Sequence, residues 1–123
     1  MRPCLALSCL LSLALLGACE SDKGLDEAGA KAEAEKIWGE RCTTCHGTKG
    51  AGDGPGAAAL ITRPRSFRDP AWQGSVDNER IKQVMVYGGA SVGLSEAMAP
   101  NLDLKGRPAV QDALVKKVRS LVQ

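Results

Sequence analysis

Apolar positions recur three and four residues apart in three separate stretches of this chain, and nowhere do they keep up the two-residue alternation of a half-buried strand. In the first stretch Ala30, Ala34, Ile37 and Trp38 share one face of a helix predicted over residues 28–41, in a background of Ala, Lys and Glu that favours helix. In the second, Ile81, Val84 and Met85 line the inner face of a helix that Asp77 or Ser75 can cap and that Gly88-Gly89 ends after Tyr87. In the third, Pro108 stands at a first helical turn, and Val110, Leu114, Val118 and Val122 follow in a row spaced by four, with Leu121 beside it. Residues 47–56 hold five glycines and Pro55 and read as a loop. Residues 57–61 can make one helical turn before Pro64, and residues 88–106 are mostly loop. There is no internal repeat. The pattern predicts an all-α fold.

A fourth apolar stretch has a different character. Met1-Arg2 is positively charged, and residues 5–16 are a run of Leu, Ala, Ser and Cys. That run falls short of the roughly 20 apolar residues a spanning helix needs. With the small residues that follow, it reads as an export signal over residues 1–18. Leu16-Gly17-Ala18-Cys19 further resembles a bacterial lipobox, in which cleavage precedes a cysteine that takes lipid. The plainer alternative is an ordinary signal peptide that happens to hold a cysteine. On the lipoprotein reading Cys19 becomes the lipidated first residue, residues 19–27 are a polar flexible tether, and residues 28–123 are the folded domain. The domain then sits on the periplasmic face of a bacterial membrane. Glu20, where an aspartate commonly retains lipoproteins in the inner membrane, favours the outer membrane by resemblance.

Composition narrows the choice of core and partner. Trp38, Phe67, Trp72 and Tyr87 are all the aromatics, few for a domain this size, which suits a core completed by a cofactor. Of the 16 Lys and Arg only Arg2 precedes Cys19, so the mature net charge falls from +2 to about +1. No basic stripe suggests nucleic acid, and the charge offers no electrostatic clue to a protein partner. A monomer is expected.

Cys42-Thr43-Thr44-Cys45-His46 carries the chemistry. Two thiols three positions apart, followed at once by an imidazole, read as a c-type haem attachment site. Each thiol can form a thioether to one haem vinyl group, and the histidine is held beneath the iron as its proximal ligand. A thioredoxin-type pair would need alternating strands and helices around it, and none is visible. A zinc site needs four ligands, but the chain has one histidine and no second CxxC. Cysteine usage then closes: Cys4 and Cys9 leave with the signal, Cys19 takes lipid, and Cys42 and Cys45 take haem.

By this point several segments together are similar to a known family. Cys42-Thr43-Thr44-Cys45-His46-Gly47, Gly52-Asp53-Gly54-Pro55, Pro64-Arg65-Ser66-Phe67, Trp72, Tyr87-Gly88-Gly89, Met98-Ala99-Pro100 and Val118-Arg119-Ser120-Leu121 resemble a class I cytochrome c of the small bacterial mono-haem kind, over roughly residues 28–123. The resemblance implies a small all-α fold in which N- and C-terminal helices cross beside one covalent haem c. It also implies His and Met axial ligands, and electron transfer with redox protein partners. The chain departs from the family at Lys117, where an aromatic often packs against the first helix; Trp38 can fill that contact from the other side.

The sixth iron ligand can be argued from the residues as well. His46 is the only histidine, which rules out a second imidazole from this chain. Met85 lies mid-helix on an apolar face, where methionine ordinarily fills core. Met98 lies in a loop able to reach the distal side, and it matches the family's ligand position. An open or lysine-ligated iron is the remaining alternative. The family's proximal histidine donates to the carbonyl of a following proline, for which Pro64 fits better than Pro55; Trp72, Arg63 and Arg65 are candidates to meet the haem propionates. The leading functional reading is a lipid-tethered, non-enzymatic shuttle of single electrons. A fixed subunit of a larger oxidoreductase and a haem enzyme or gas sensor with an opening distal site are the alternatives.

Overall fold

The computed structural model describes residue 22 and residues 24–123; the expected signal, residues 1–18, and Cys19 lie outside the described residues. Helix α1 (Glu27–Ile37) begins where the Asp26 carboxylate accepts a hydrogen bond from the Gly29 N–H at 2.7 Å, satisfying one of the donors a first turn leaves unpaired. It buries Ala30, Ala34 and Ile37, the stripe read from the sequence. As an α-helix it ends at Ile37 and not at Arg41, yet the chain stays helical. A π turn (Trp38–Cys42) runs directly into α2 (Thr43–His46), so the cysteine motif is itself helical. In that turn the Thr43 N–H reaches back to the Trp38 carbonyl, and the Thr43 hydroxyl donates to the Gly39 carbonyl at 2.8 Å.

Helix α3 (Pro70–Ser75) starts at an Asp69 cap, with the Ala71 N–H donating to its carboxylate at 2.9 Å. It is too short to show periodicity, and the sequence pattern misses it. Helix α4 (Asn78–Tyr87) is capped by Asp77, which accepts from the Arg80 N–H at 2.7 Å; Ser75 closes α3 instead. Its buried face is Ile81, Met85 and Val86, with Val84 only half-buried. Helix α5 (Pro108–Arg119) buries Val110, Leu114, Val115 and Val118. The predicted row loses its last member, because Ser120 ends the helix and Val122 is left 43% exposed beyond it. Short 3-10 turns occupy Ala57–Ala59, Ala90–Val92 and Leu102–Leu104, and no strand occurs among the described residues.

Helices α1 and α5 make the most extensive contact in the molecule. Between them and α4 lies one core cluster of Ala34, Ile37, Met85, Val86, Leu104, Val110 and Leu114. A second cluster, Trp38, Ile81, Val115 and Val118, is bordered by the half-buried Cys42, Phe67 and Trp72. Lys117 does not loosen the crossing. Its ammonium lies 6.0 Å from the Trp38 ring centroid and pairs with Glu35 at 2.8 Å, so Trp38 supplies the aromatic and Lys117 covers it as a cation. The described part of the expected tether is not a free spacer either. Asp22 is folded onto the start of α5, where its carboxylate accepts from the Ala109 N–H at 2.7 Å.

Candidate functional site

A helical CxxC places its two thiols on one side, since residues three apart are neighbours on a helix surface. Cys42 and Cys45 are both half-buried free thiols, with His46 one position further along. Burial pushes the Cys42 thiol above its ordinary pKa, against the pull of nearby Arg41. Among the described residues no group of three or more His, Cys, Asp and Glu side chains is placed to hold a metal ion.

What holds the motif in place is the glycine loop after it. The last four carbonyls of a helix have no intrahelical partner. Here the Gly47 N–H donates to Thr43 at 2.9 Å, Gly52 to His46 at 2.8 Å, Gly54 to Cys45 at 3.1 Å and Gly56 to Thr44 at 2.8 Å. All four carbonyls of α2 are therefore satisfied by glycine amides. Gly47 turns the chain at φ 77°, a left-handed conformation that side chains disfavour. Gly54 comes so close to the Thr43 and Thr44 carbonyl oxygens that a Cβ there would strike both.

A second strap crosses this loop. The Phe67 N–H donates to the Gly50 carbonyl at 2.7 Å, and the Phe67 ring stacks on His46 with centroids 4.3 Å apart and planes 19° from parallel. Behind it Trp72 and Trp38 pack at 5.2 and 6.1 Å. His46 Nδ1 meets the Arg65 carbonyl at 3.1 Å. A carbonyl only accepts, so this contact places the proton on Nδ1 and leaves the Nε2 lone pair available to a metal. Burial also lowers the His46 pKa, with the Arg65 contact opposing, and so favours the neutral ring that ligation requires. The acceptor expected at Pro64, or alternatively Pro55, belongs to Arg65 instead. The reason is local: the Pro64 carbonyl lies over Gly52, so tightly that a Cβ there would strike it.

Phe67 itself is held through Gln73, whose side-chain amide donates to the Phe67 carbonyl at 2.7 Å and to the Val118 carbonyl at 2.9 Å. Arg119 in turn donates to the Gln73 side-chain oxygen at 3.0 Å and to the Val76 carbonyl at 2.7 Å. The wall behind the histidine is thus tied to the last helix. Replacing Phe67 with Ala should destabilise the protein by about 3 kcal/mol, the low end for a large aromatic because Phe67 is only half-buried. Denaturant titration checks this, and a loss under 1 kcal/mol would show the stack to be incidental.

The Cytochrome c family model matches residues 31–109, more than half of the chain. The chain belongs to the cytochrome c family. No curated protein and no solved structure matches it. Membership of the family means a covalently attached haem c, and the two thiols of α2, with an imidazole ready to ligate, fit that group. It also makes the chain a haem-based electron-transfer protein, in a family composed mainly of electron carriers that also includes some haem enzymes. Its redox partners are other proteins. Members are typically exported or periplasmic, and among the described residues no helix is long and apolar enough to cross a membrane.

The remaining predicted residues fall in distinct places. Met85 is 8% exposed within the core between α1, α4 and α5. Met98 is half-buried in the loop after α4, its carbonyl accepting from the Gly89 N–H at 2.9 Å. Trp72 packs against Phe67, while Arg63 and Arg65 are exposed. Two surface clefts, one beside Lys82 and Tyr87 and one along the α1–α5 groove, contain none of Cys42, Cys45, His46 or Met98. The motif locates the chemistry here, not concavity. Gln73, Arg119 and the Arg65 carbonyl escape sequence reasoning; a backbone acceptor has no residue signature, and the two side chains act across long sequence separations.

Proposed function

We propose that this cytochrome is a membrane-tethered, non-enzymatic carrier of single electrons, its haem iron ligated by His46 and Met98 and its N-terminus lipidated at Cys19. The observation that carries the ligand reading is the contrast between the two methionines. Met85 fills the core, and taking it out would open a cavity there. The Met98 loop is folded back on the end of α4, with Asn101 donating to the Met85 carbonyl at 2.9 Å and its N–H to Val86 at 3.0 Å. That loop has no helix to break if its thioether turns toward a ligand site. When bound, haem would supply the one-electron ferric–ferrous couple, and the thioether of Met98 together with the His46 imidazole as its ligands would raise the potential.

The chain's own residues supply orientation and exclusion. Arg65 and Phe67 fix the His46 ring, and the Gly47–Gly56 amides hold the attachment helix. Trp72, Arg63 and Arg65 are the candidates to donate to the haem propionates, against the plainer roles of a packed indole and two solvated charges. A tethered carrier with both axial positions filled should leave carbon monoxide unbound in the ferrous state. Rapid binding by the wild type would move the gas-sensor or enzyme reading ahead.

The tether has its own test. Wild-type protein should partition into detergent, and Cys19→Ser should shift it to the aqueous phase. Intact mass decides the matter independently, because an unmodified N-terminus cleaved elsewhere removes the lipoprotein reading.

A further inference from the structure

Helix α5 lacks a cap of its own. Its N-cap position is Arg107, which makes no side-chain cap hydrogen bond, and Pro108 follows, so the N–H groups of Ala109 and Val110 need an acceptor from elsewhere. Asp22 provides it from 87 residues away in the chain. Its Oδ2 accepts from Ala109 at 2.7 Å and from Val110 at 3.4 Å, and its Oδ1 meets the Arg107 Nε at 3.4 Å. The side chain is only 9% exposed, as is that of Arg107, which also reaches Glu33 on α1 at 3.5 Å. A carboxylate at the positive end of a helix, paired with a buried guanidinium, is a firm contact for a residue so near the N-terminus.

The position of Asp22 matters because of Cys19. Three peptide links separate them, a reach of at most about 11 Å at full extension. A free tether over residues 19–27 would instead allow about 28 Å. We propose that Asp22 latches the anchor to the start of α5, so that this end of the domain rests on the bilayer leaflet holding the Cys19 lipid. The bilayer-facing surface is then the α5 N-terminus with the turn before it. That turn carries Leu102, 60% exposed, and exposed Lys105, an apolar side chain and a cation suited to acyl chains and lipid phosphates. This surface rests on the lipoprotein reading above; the Asp22 contact does not.

The test uses the full lipidated protein on phosphatidylethanolamine/phosphatidylglycerol vesicles doped with nickel-chelating lipid. With Cys42 and Cys45 bound to haem, a spin label at Lys105→Cys occupies the only free thiol, and the nickel at the bilayer surface should relax it strongly. Inserting six Gly/Ser residues after Glu20 keeps Asp22 and the fold but lengthens the reach, and should cut that relaxation severalfold. Asp22→Ala should cut it too. It should also speed hydrogen exchange at the Ala109 and Val110 amides by roughly tenfold, the worth of an ordinary cap, while the insertion leaves exchange unchanged. Equal exchange in wild type and Asp22→Ala overturns the latch, and relaxation indifferent to the insertion overturns the bilayer-facing surface. An intact mass without lipid overturns the anchor and this surface together, and the exchange comparison still decides the latch.

Discussion

Met98→Ala should abolish the weak long-wavelength absorption band that a thioether–iron bond gives in the ferric state. It should also lower the reduction potential and open the ferrous iron to carbon monoxide. Few side chains can supply the thioether. With His46 the sole histidine and Met85 embedded among Ala34, Ile37, Leu104 and Leu114, Met98 is the thioether left to serve. Met85→Ala should behave in the opposite way, keeping the band but losing about 2–5 kcal/mol of stability, as large-to-small changes in a packed core do. Visible spectra and denaturant titration of the two variants separate the roles. An exchange of phenotypes between them would reverse the assignment.

Removing both attachment thiols is the other change with a large expected effect. Wild-type protein run on a denaturing gel should keep its haem and stain for peroxidase activity, and Cys42→Ala/Cys45→Ala should lose the stain entirely. The same variant should unfold at a lower temperature than the wild type. The aromatic complement is only Trp38, Phe67, Trp72 and Tyr87, few for a domain of this size, so a covalent haem would supply apolar bulk that the variant lacks. Haem lost from the wild type on denaturation would instead mean that α2 does not bind it covalently.

The second expectation hangs on a motif that was legible as sequence, and the reason lies in its geometry. Two thiols and an imidazole within five residues carry their chemistry in the spacing alone, and local helical winding suffices to arrange them. The stripes Ala30, Ala34, Ile37 and Val110, Leu114, Val118 were legible for the same reason, since a helix that must bury one face writes that face at a 3.6-residue period. The Asp77 cap could likewise be read from its own neighbourhood, because a cap acts over three residues.

Where acceptor and donor lie far apart in the chain, sequence patterns were silent or wrong. Proline was the expected acceptor for His46, yet any residue's carbonyl can serve, and the packing of Pro64 over Gly52 hands the role to Arg65. The polar stretch before α1 reads as spacer by composition, but composition does not record that the start of α5, 85 or more residues away, lacks a cap that Asp22 can supply. The Gln73–Arg119 tie behind Phe67 is of the same kind. The sequence by itself determined the three long helices, the CxxCH motif and the family, because each is specified by residues close together, whereas the short α3 carried no periodic signal. Only the tertiary structure decided which backbone groups were left unpaired, and so which distant side chains had to meet them.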